Sequence, residues 1–269
     1  MKLVSSAKLR KAQNAIEAMR PYEEQLLGIL ASLQGGTAGV PSLNLGKNKD
    51  ERKTIVAIAS NSSLCGGFNA NAIAKVRAIR RPGDTVYAIG RKMADAMRKE
   101  GFASPEDFSA LSEHPSYGPA AALVEKLVAD VEAGRTGAVV LVYNHFVSTA
   151  RQEPVVEVLM QRETPDQVGG DRGVEERDSS PAPSYIAPLL EPSRAALLEA
   201  LVPKTRKLKL YAALLDSAAA EHAARTVAMQ TATDNAENLL AELTLQYNKG
   251  RQQKITSEIL DLAGGQAEN

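Results

Sequence analysis

The chain has 269 residues, a formal net charge of zero, 24% charged residues, one cysteine and no tryptophan. A neutral bulk charge leaves no general electrostatic footprint for nucleic acid or an anionic membrane, and a lone cysteine excludes an intramolecular disulfide and fits a reducing compartment. No apolar run approaches the ~20 residues that a membrane-spanning helix requires, and the basic N-terminus, MKLVSSAKLRKAQ, has no apolar signal-peptide core.

Residues 1–33 predict a helix, with Leu3, Ala7, Leu9, Ala15, Ile16, Met19, Leu26, Leu27, Ile29 and Leu30 recurring near helical spacing. Pro21 predicts a kink or restart, because proline removes a hydrogen bond and crowds the preceding turn. Residues 34–48, rich in Gly, Asn, Ser and Pro, read as a loop. The texture then changes. Strands are predicted at 54–60 (TIVAIAS), 84–90 (DTVYAIG), 137–147 (GAVVLVYNHFV) and 155–160, with helices at 69–80, 91–100 and 118–133. That alternation predicts a parallel, Rossmann-like α/β sheet covered by helices. Residues 161–183 read as a solvated loop; a short strand at 185–187 and a helix at 193–201 lead onward.

From Lys204 to about Gly264 the composition is almost wholly helix-forming, with neither proline nor glycine between Pro203 and Gly250. One helix of this length would measure ~90 Å at 1.5 Å per residue, against a radius of gyration near ~18 Å for a compact chain of this size. It must project. Three regions follow: an N-terminal helix and loop at 1–50, an α/β domain at 51–203, and a long C-terminal helix at 204–269. The two terminal helices are expected to pair antiparallel. Ala219, Ala223 and Val227 begin a heptad-like seam that continues through Ala236, Leu239, Leu240, Leu243 and Tyr247 to Ile255, Ile259 and Leu262. Counting outward from the domain puts Met1 near residues 235–240, so the last 25 or so residues have no partner in this chain. An unpaired apolar seam implies another protein around it.

Motifs for chemistry are weak by comparison. The turn at 60–69, SNSSLCGGFN, has neither GxxxxGK[ST] nor GxGxxG, and its Gly66 and Gly67 read as permitting a tight strand-to-helix turn. His114, His145 and His222 lack ligand-like spacing, and Cys65 lacks the marks of a nucleophile, so burial in the turn is its default reading. No catalytic, cofactor or metal residue is assigned. The basic residues Lys2, Lys8, Arg10 and Lys11, and the cluster Lys204, Arg206, Lys207 and Lys209, read either as solvated helix faces or as strips facing acidic partners.

Several of these stretches carry a resemblance. EHAAR at 221–225, ATDNA at 232–236, LTLQYNK at 243–249 with Arg251, Gln252, Ile255 and Thr256, MKLVSSAKLRKAQ at 1–13, SLCGGFN at 63–69 and VYN at 142–144 together resemble the gamma subunit of F-type ATP synthases over nearly the whole chain. The resemblance implies a non-catalytic rotor shaft. Its terminal helices would form a coiled coil inside a ring of alpha and beta subunits, and its α/β foot would rest on the epsilon subunit and the membrane c-ring. It would be peripheral on the cytoplasmic face of a bacterial plasma membrane and would couple proton-driven rotation to the catalytic beta sites. By position it makes Lys2, Lys8, Arg10, Lys11, Asn248, Lys249, Arg251 and Gln252 contacts to beta-subunit loops, places Ile255, Ile259 and Leu262 within the ring, and assigns Lys204, Arg206 and Tyr211 to the foot contact. The family carries some two dozen further residues before the segment matching Met1, so the coil is expected to be incomplete. Gly250 stands where the family has alanine, and the stretch 264–269 is more polar than the family's apolar tip. The rival readings are an α/β nucleotide-binding enzyme and an unrelated coiled-coil scaffold.

Overall fold

A computed structural model describes residues 2–33, 52–162, 191 and 193–265, with side chains through residue 260. The loop at 34–48, most of the loop at 161–183 and the strand at 185–187 lie outside the described residues.

The elements in chain order are α1 (Lys2–Leu33), β1 (Lys53–Ile58), α2 (Phe68–Ile79), β2 (Thr85–Ile89), α3 (Arg91–Lys99), α4 (Ser109–Glu113), α5 (Tyr117–Glu132), β3 (Ala138–Phe146), β4 (Gln152–Gln161) and α6 (Arg194–Gly265). The sheet order is β2-β1-β3-β4. β1 pairs parallel to both β2 and β3. β4, however, runs antiparallel to β3, so the sheet is mixed and not wholly parallel as the alternation predicts. The reason is the length of the connection. Parallel neighbours need a long crossover, whereas residues 147–151 are just enough for a hairpin, closed by Ser148 and Arg151 exchanging backbone hydrogen bonds of 3.0 and 3.2 Å.

Strand alternation sends side chains to two cores. Val56, Ile58, Tyr87, Ile89, Val139 and Leu141 pack beneath α5 and α6, while Ile55, Ala57, Val86, Ala88 and Val142 pack against α2 and α3. The result is three layers, helix–sheet–helix, in which α6 is itself a covering layer. Its Leu210, Ala213 and Leu214 belong to the first core.

Two helix expectations change. α1 runs through Pro21 without a break in its helical assignment. α6 runs through Pro203 and begins at Arg194, ten residues before the predicted start. At 72 residues it measures about 108 Å at 1.5 Å per residue. The short α4 falls between the predicted helices at 91–100 and 118–133; five residues are too few to show a helical period.

Gly90 closes the turn from β2 into α3 at φ +100°, and a Cβ there would lie 2.1 Å from the Ala59 carbonyl oxygen. Strain and collision act together, and backbone cannot give way as a side-chain tip would. Gly90→Ala should destabilise the chain by about 2–4 kcal/mol in urea unfolding, whereas Gly101→Ala, with open space at its Cβ, should show only the smaller cost of its positive φ.

Candidate functional site: a helical shaft leaving its foot

α1 lies against α6 as a coiled coil. Its buried and half-buried positions Ser5, Leu9, Ala12, Ile16, Met19 and Glu23 recur at alternating steps of four and three, and Leu26, Leu30 and Leu33 continue the series. This is a heptad seam, flanked by the half-buried Gln13, Ala15 and Ala31. Leu3, Leu27 and Ile29, which the looser sequence stripe included, fall outside it and are exposed. On the facing helix Leu9 packs on Ala219 and Ala223, whose small side chains permit close approach.

That contact sets the register. With Leu9 opposite 219–223 in an antiparallel pair, Lys2 reaches roughly 226–230, and burial along α6 does end at Gln230. The predicted end near 235–240 lies too far out because the count began at residue 204. The helix begins at Arg194, so part of α1 is matched by residues assigned to the domain. Beyond Gln230 every described side chain to residue 260 is exposed. Residues 231–265 extend about 50 Å and carry Leu239, Leu243, Tyr247, Ile255 and Ile259 in the open, Tyr247 at 72% exposure. Burying each such side chain is worth roughly 1.5–3 kcal/mol.

The predicted contact residues fall into separate groups. Lys2, Lys8, Arg10 and Lys11 are all exposed on α1, as are Asn248, Lys249, Arg251, Gln252, Ile255 and Ile259 on α6. Lys8 lines a cleft with His222 and Arg225, so the basic strip lies about 39 Å along the helix from Asn248. The two strips form no single site. The side chain of Leu262 lies outside the described residues. Lys204 is exposed and Arg206 half-buried. Tyr211 packs against the foot's own core and edge-on to Tyr117, with ring centroids 6.0 Å apart. Of the neighbouring lysines, Lys207 pairs with Glu125 at 2.5 Å and Lys209 with Glu157 at 3.2 Å. At Gly250 a Cβ would meet nothing within 4 Å, so alanine fits there and glycine only weakens the helix, by ~1 kcal/mol.

The turn at 60–69 is filled by its own side chains. Asn69 Oδ1 accepts from the Ser60 backbone N–H at 3.0 Å, and Asn69 Nδ2 donates to the Ser62 carbonyl at 3.3 Å. Cys65 is buried there, receiving a 3.1 Å contact from Asn69 Nδ2. Gly66 needs its positive φ of 56°; Gly67, at φ −79°, does not. Among the described residues no group of three or more His, Cys, Asp or Glu is placed to hold a metal, and no helix is long and apolar enough to cross a membrane.

Sequence reasoning missed the polar ties where the shaft meets the foot. Asp216, buried on α6, accepts from the Phe146 backbone N–H at 3.1 Å and bonds the His145 ring. Arg225 bonds Glu221 at 2.6 Å and donates to Ser62 Oγ at 2.9 Å. Glu23, on the α1 seam, shares a cleft with Tyr143, Glu157, Lys209 and Asp216. Burial raises the pKa of Glu23, with the charges of Glu157 and Asp216 pushing the same way. Burial also raises Asp216 despite the opposing pull of His145, and raises Glu221 despite Arg225. The available signal was a carboxylate set among alanines and leucines, as in AALLDSAAA.

A foot of three layers with a helix that, among the described residues, runs beyond everything packed against it defines a stalk protein. A family model described as ATP synthase matches residues 1–267. The chain is 44% identical over 272 residues to the ATP synthase gamma chain of Phocaeicola vulgatus, covering 98% of this chain and 91% of that one. It is 36% identical to the gamma chain of Pelotomaculum thermopropionicum, covering 99% and 91%. In fold it resembles a chain of the Euglena gracilis mitochondrial ATP synthase, with a TM-score of 0.65 at 20% identity over 97% of this chain and 94% of that one. A chain from the Tetrahymena thermophila central stalk and c-ring gives 0.60 at 19% identity, covering 87% and 97%. This chain belongs to the ATP synthase gamma chain family.

His222 supplies a pH test of the junction. Its Nδ1 is buried without a hydrogen-bond partner among the described residues, and burial, helped by Arg225 and Lys8, pushes its pKa down to about 4 from the ordinary 6.5. Between those values the unfolded chain binds a proton that the folded chain refuses, so acid removes stability there. Relative to its own value at pH 7, His222→Gln should gain roughly 2 kcal/mol on the parent chain as pH falls to 4, with allowance for partial exposure. Urea unfolding of both chains across that range reads this difference, to which the raised carboxylates contribute equally in each.

Proposed function

We propose that this chain is the non-catalytic central-stalk subunit of a proton-translocating ATP synthase, turning with the membrane c-ring and cycling the conformations of the catalytic beta subunits. The observation that carries the reading is the exposed helix beyond Gln230, in a chain whose relatives are named ATP synthase gamma chains. A surface that cycles a partner must bind that partner's conformations unequally, and a stiff helix bearing different side chains around its circumference does this as it turns.

In this reading alpha and beta subunits surround residues 231–265, while the epsilon subunit and c-ring hold the foot on the cytoplasmic face of a bacterial plasma membrane. Asn248, Lys249, Arg251 and Gln252 meet beta-subunit loops nearer the tip, and Lys2, Lys8, Arg10 and Lys11 meet them lower down. Ile255, Ile259 and Leu262 occupy the ring. Lys204 and Arg206 remain available at the foot; Tyr211 contributes through packing. The nucleotide-enzyme alternative has little support, because the turn after β1 is closed by Asn69. The scaffold alternative accounts for the seam and not for the family.

The test is reconstitution with alpha and beta subunits. The parent chain should assemble an active ATPase, and failure to do so overturns the reading. Ile255→Asp with Ile259→Asp, at exposed positions, should change the unfolding free energy of the isolated chain by no more than about 0.5 kcal/mol per substitution. The same pair should lower the activity of the assembled complex at least tenfold.

A further inference from the structure

The contact between α6 and the rest of the molecule changes character along its length. Leu210 and Leu214 are large side chains buried in the core of the foot, where they lock the helix in place. From Ser217 to Ala224 the buried apolar side chains on α6 are alanines: Ala219, Ala220, Ala223 and Ala224. Alanine faces permit close packing yet offer little relief for a neighbour to grip, so they resist rotation of a helix about its axis less than interlocked leucines do. This smooth stretch faces the foot through Ala220 and Ala224 and α1 through Ala219 and Ala223.

Asp216 stands at its start. Its Oδ1 accepts from the backbone N–H of Phe146, the last residue of β3, at 3.1 Å, and its Oδ2 bonds the His145 ring. A hydrogen bond to backbone is directional and cannot follow a turning helix. The same carboxylate is costly to bury, and the neighbouring Glu23, Glu157, Tyr143, Lys209 and Arg20 do not offset that cost, as its raised pKa records. A group whose burial opposes folding is better explained by specificity than by stability.

We infer that Asp216 is a positioning residue for rotary coupling: by tying the end of β3 to α6, it fixes the rotational setting of the shaft relative to the foot. The inference rests on the stalk reading above. A twist delivered to the foot then passes into α6 at Asp216 without the helix turning in its seat, and the continuous helix carries it to residues 231–265.

The experiment uses the full ATP synthase in inverted membrane vesicles, reading ATP hydrolysis and ATP-driven proton pumping together. For Asp216→Ala the ratio of pumping to hydrolysis should fall about threefold or more, while the isolated chain melts no lower than the parent. Asp216→Asn keeps an acceptor for the Phe146 N–H and should recover most of the ratio. A residue with only a structural role would lower the melting point and leave the ratio unchanged. A ratio equal to the parent's for Asp216→Ala overturns the inference while leaving the stalk reading intact; a parent chain that supports no pumping overturns the stalk reading itself. If Asp216→Ala fails to assemble, His145→Ala, at a side chain 40% exposed, takes its place. The ratio should then fall by about half, and parity with the parent overturns the inference.

Discussion

A single helix serves three environments, and that sharing constrains everything else in the molecule. Around residues 208–224, α6 covers one face of the sheet and also forms half of a coil with α1. Only small side chains allow two bodies to approach one helix so closely, which accounts for Ala213, Ala219, Ala220, Ala223 and Ala224 at these positions. Beyond Gln230 the helix continues with every described side chain exposed. The foot, the coil and the open shaft are therefore mechanically one element, and no hinge of proline or glycine separates them between Pro203 and Gly250.

The junction is held by polar groups as well as packing, and these are not arranged for maximum stability. Glu23, Asp216 and Glu221 all resist ionisation where they sit, each chiefly because of burial. An apolar replacement of suitable shape at such a site is often neutral or stabilising. What the polar groups add is direction: Asp216 reaches the end of β3, and Arg225 reaches Ser62 in the turn after β1. Both ties run from the helix to the C-terminal ends of the two central strands. This is the edge of the sheet where open α/β folds place their ligands. Here that edge is occupied by the protein's own shaft.

Much of the foot was legible in the sequence. Strands β1, β2 and β3 and helices α2, α3 and α5 each lie within two residues of their predicted bounds, because each is a short periodic or β-branched run between turn residues. The errors share a cause. The direction of β4, the start of α6 and the inner face of α1 depend on what lies opposite, and a single strand or helix does not carry that information. Pro203 looked like a boundary, yet Leu201 and Val202 are half-buried and the helix persists through the proline. On α1 the thin apolar stripe hid a regular heptad, since Ser5 and Glu23 occupy core-facing positions that a hydrophobic count ignores.

By itself, the sequence determined that a helix too long for the body must project and that its far end carries an apolar pattern. Both conclusions follow from length and apolar pattern, which are properties of one element at a time. It also carried the ordered motifs by which the family is recognised. Only the tertiary structure decided where burial along α6 ends, because the coil's register is set by Leu9 meeting Ala219 and Ala223, residues more than 200 positions apart. For the same reason only the structure revealed Asp216, His145, Ser62 and Arg225 as ties between shaft and foot. A carboxylate among alanines is a local anomaly in the chain; its meaning lies in the backbone N–H that folding brings to it.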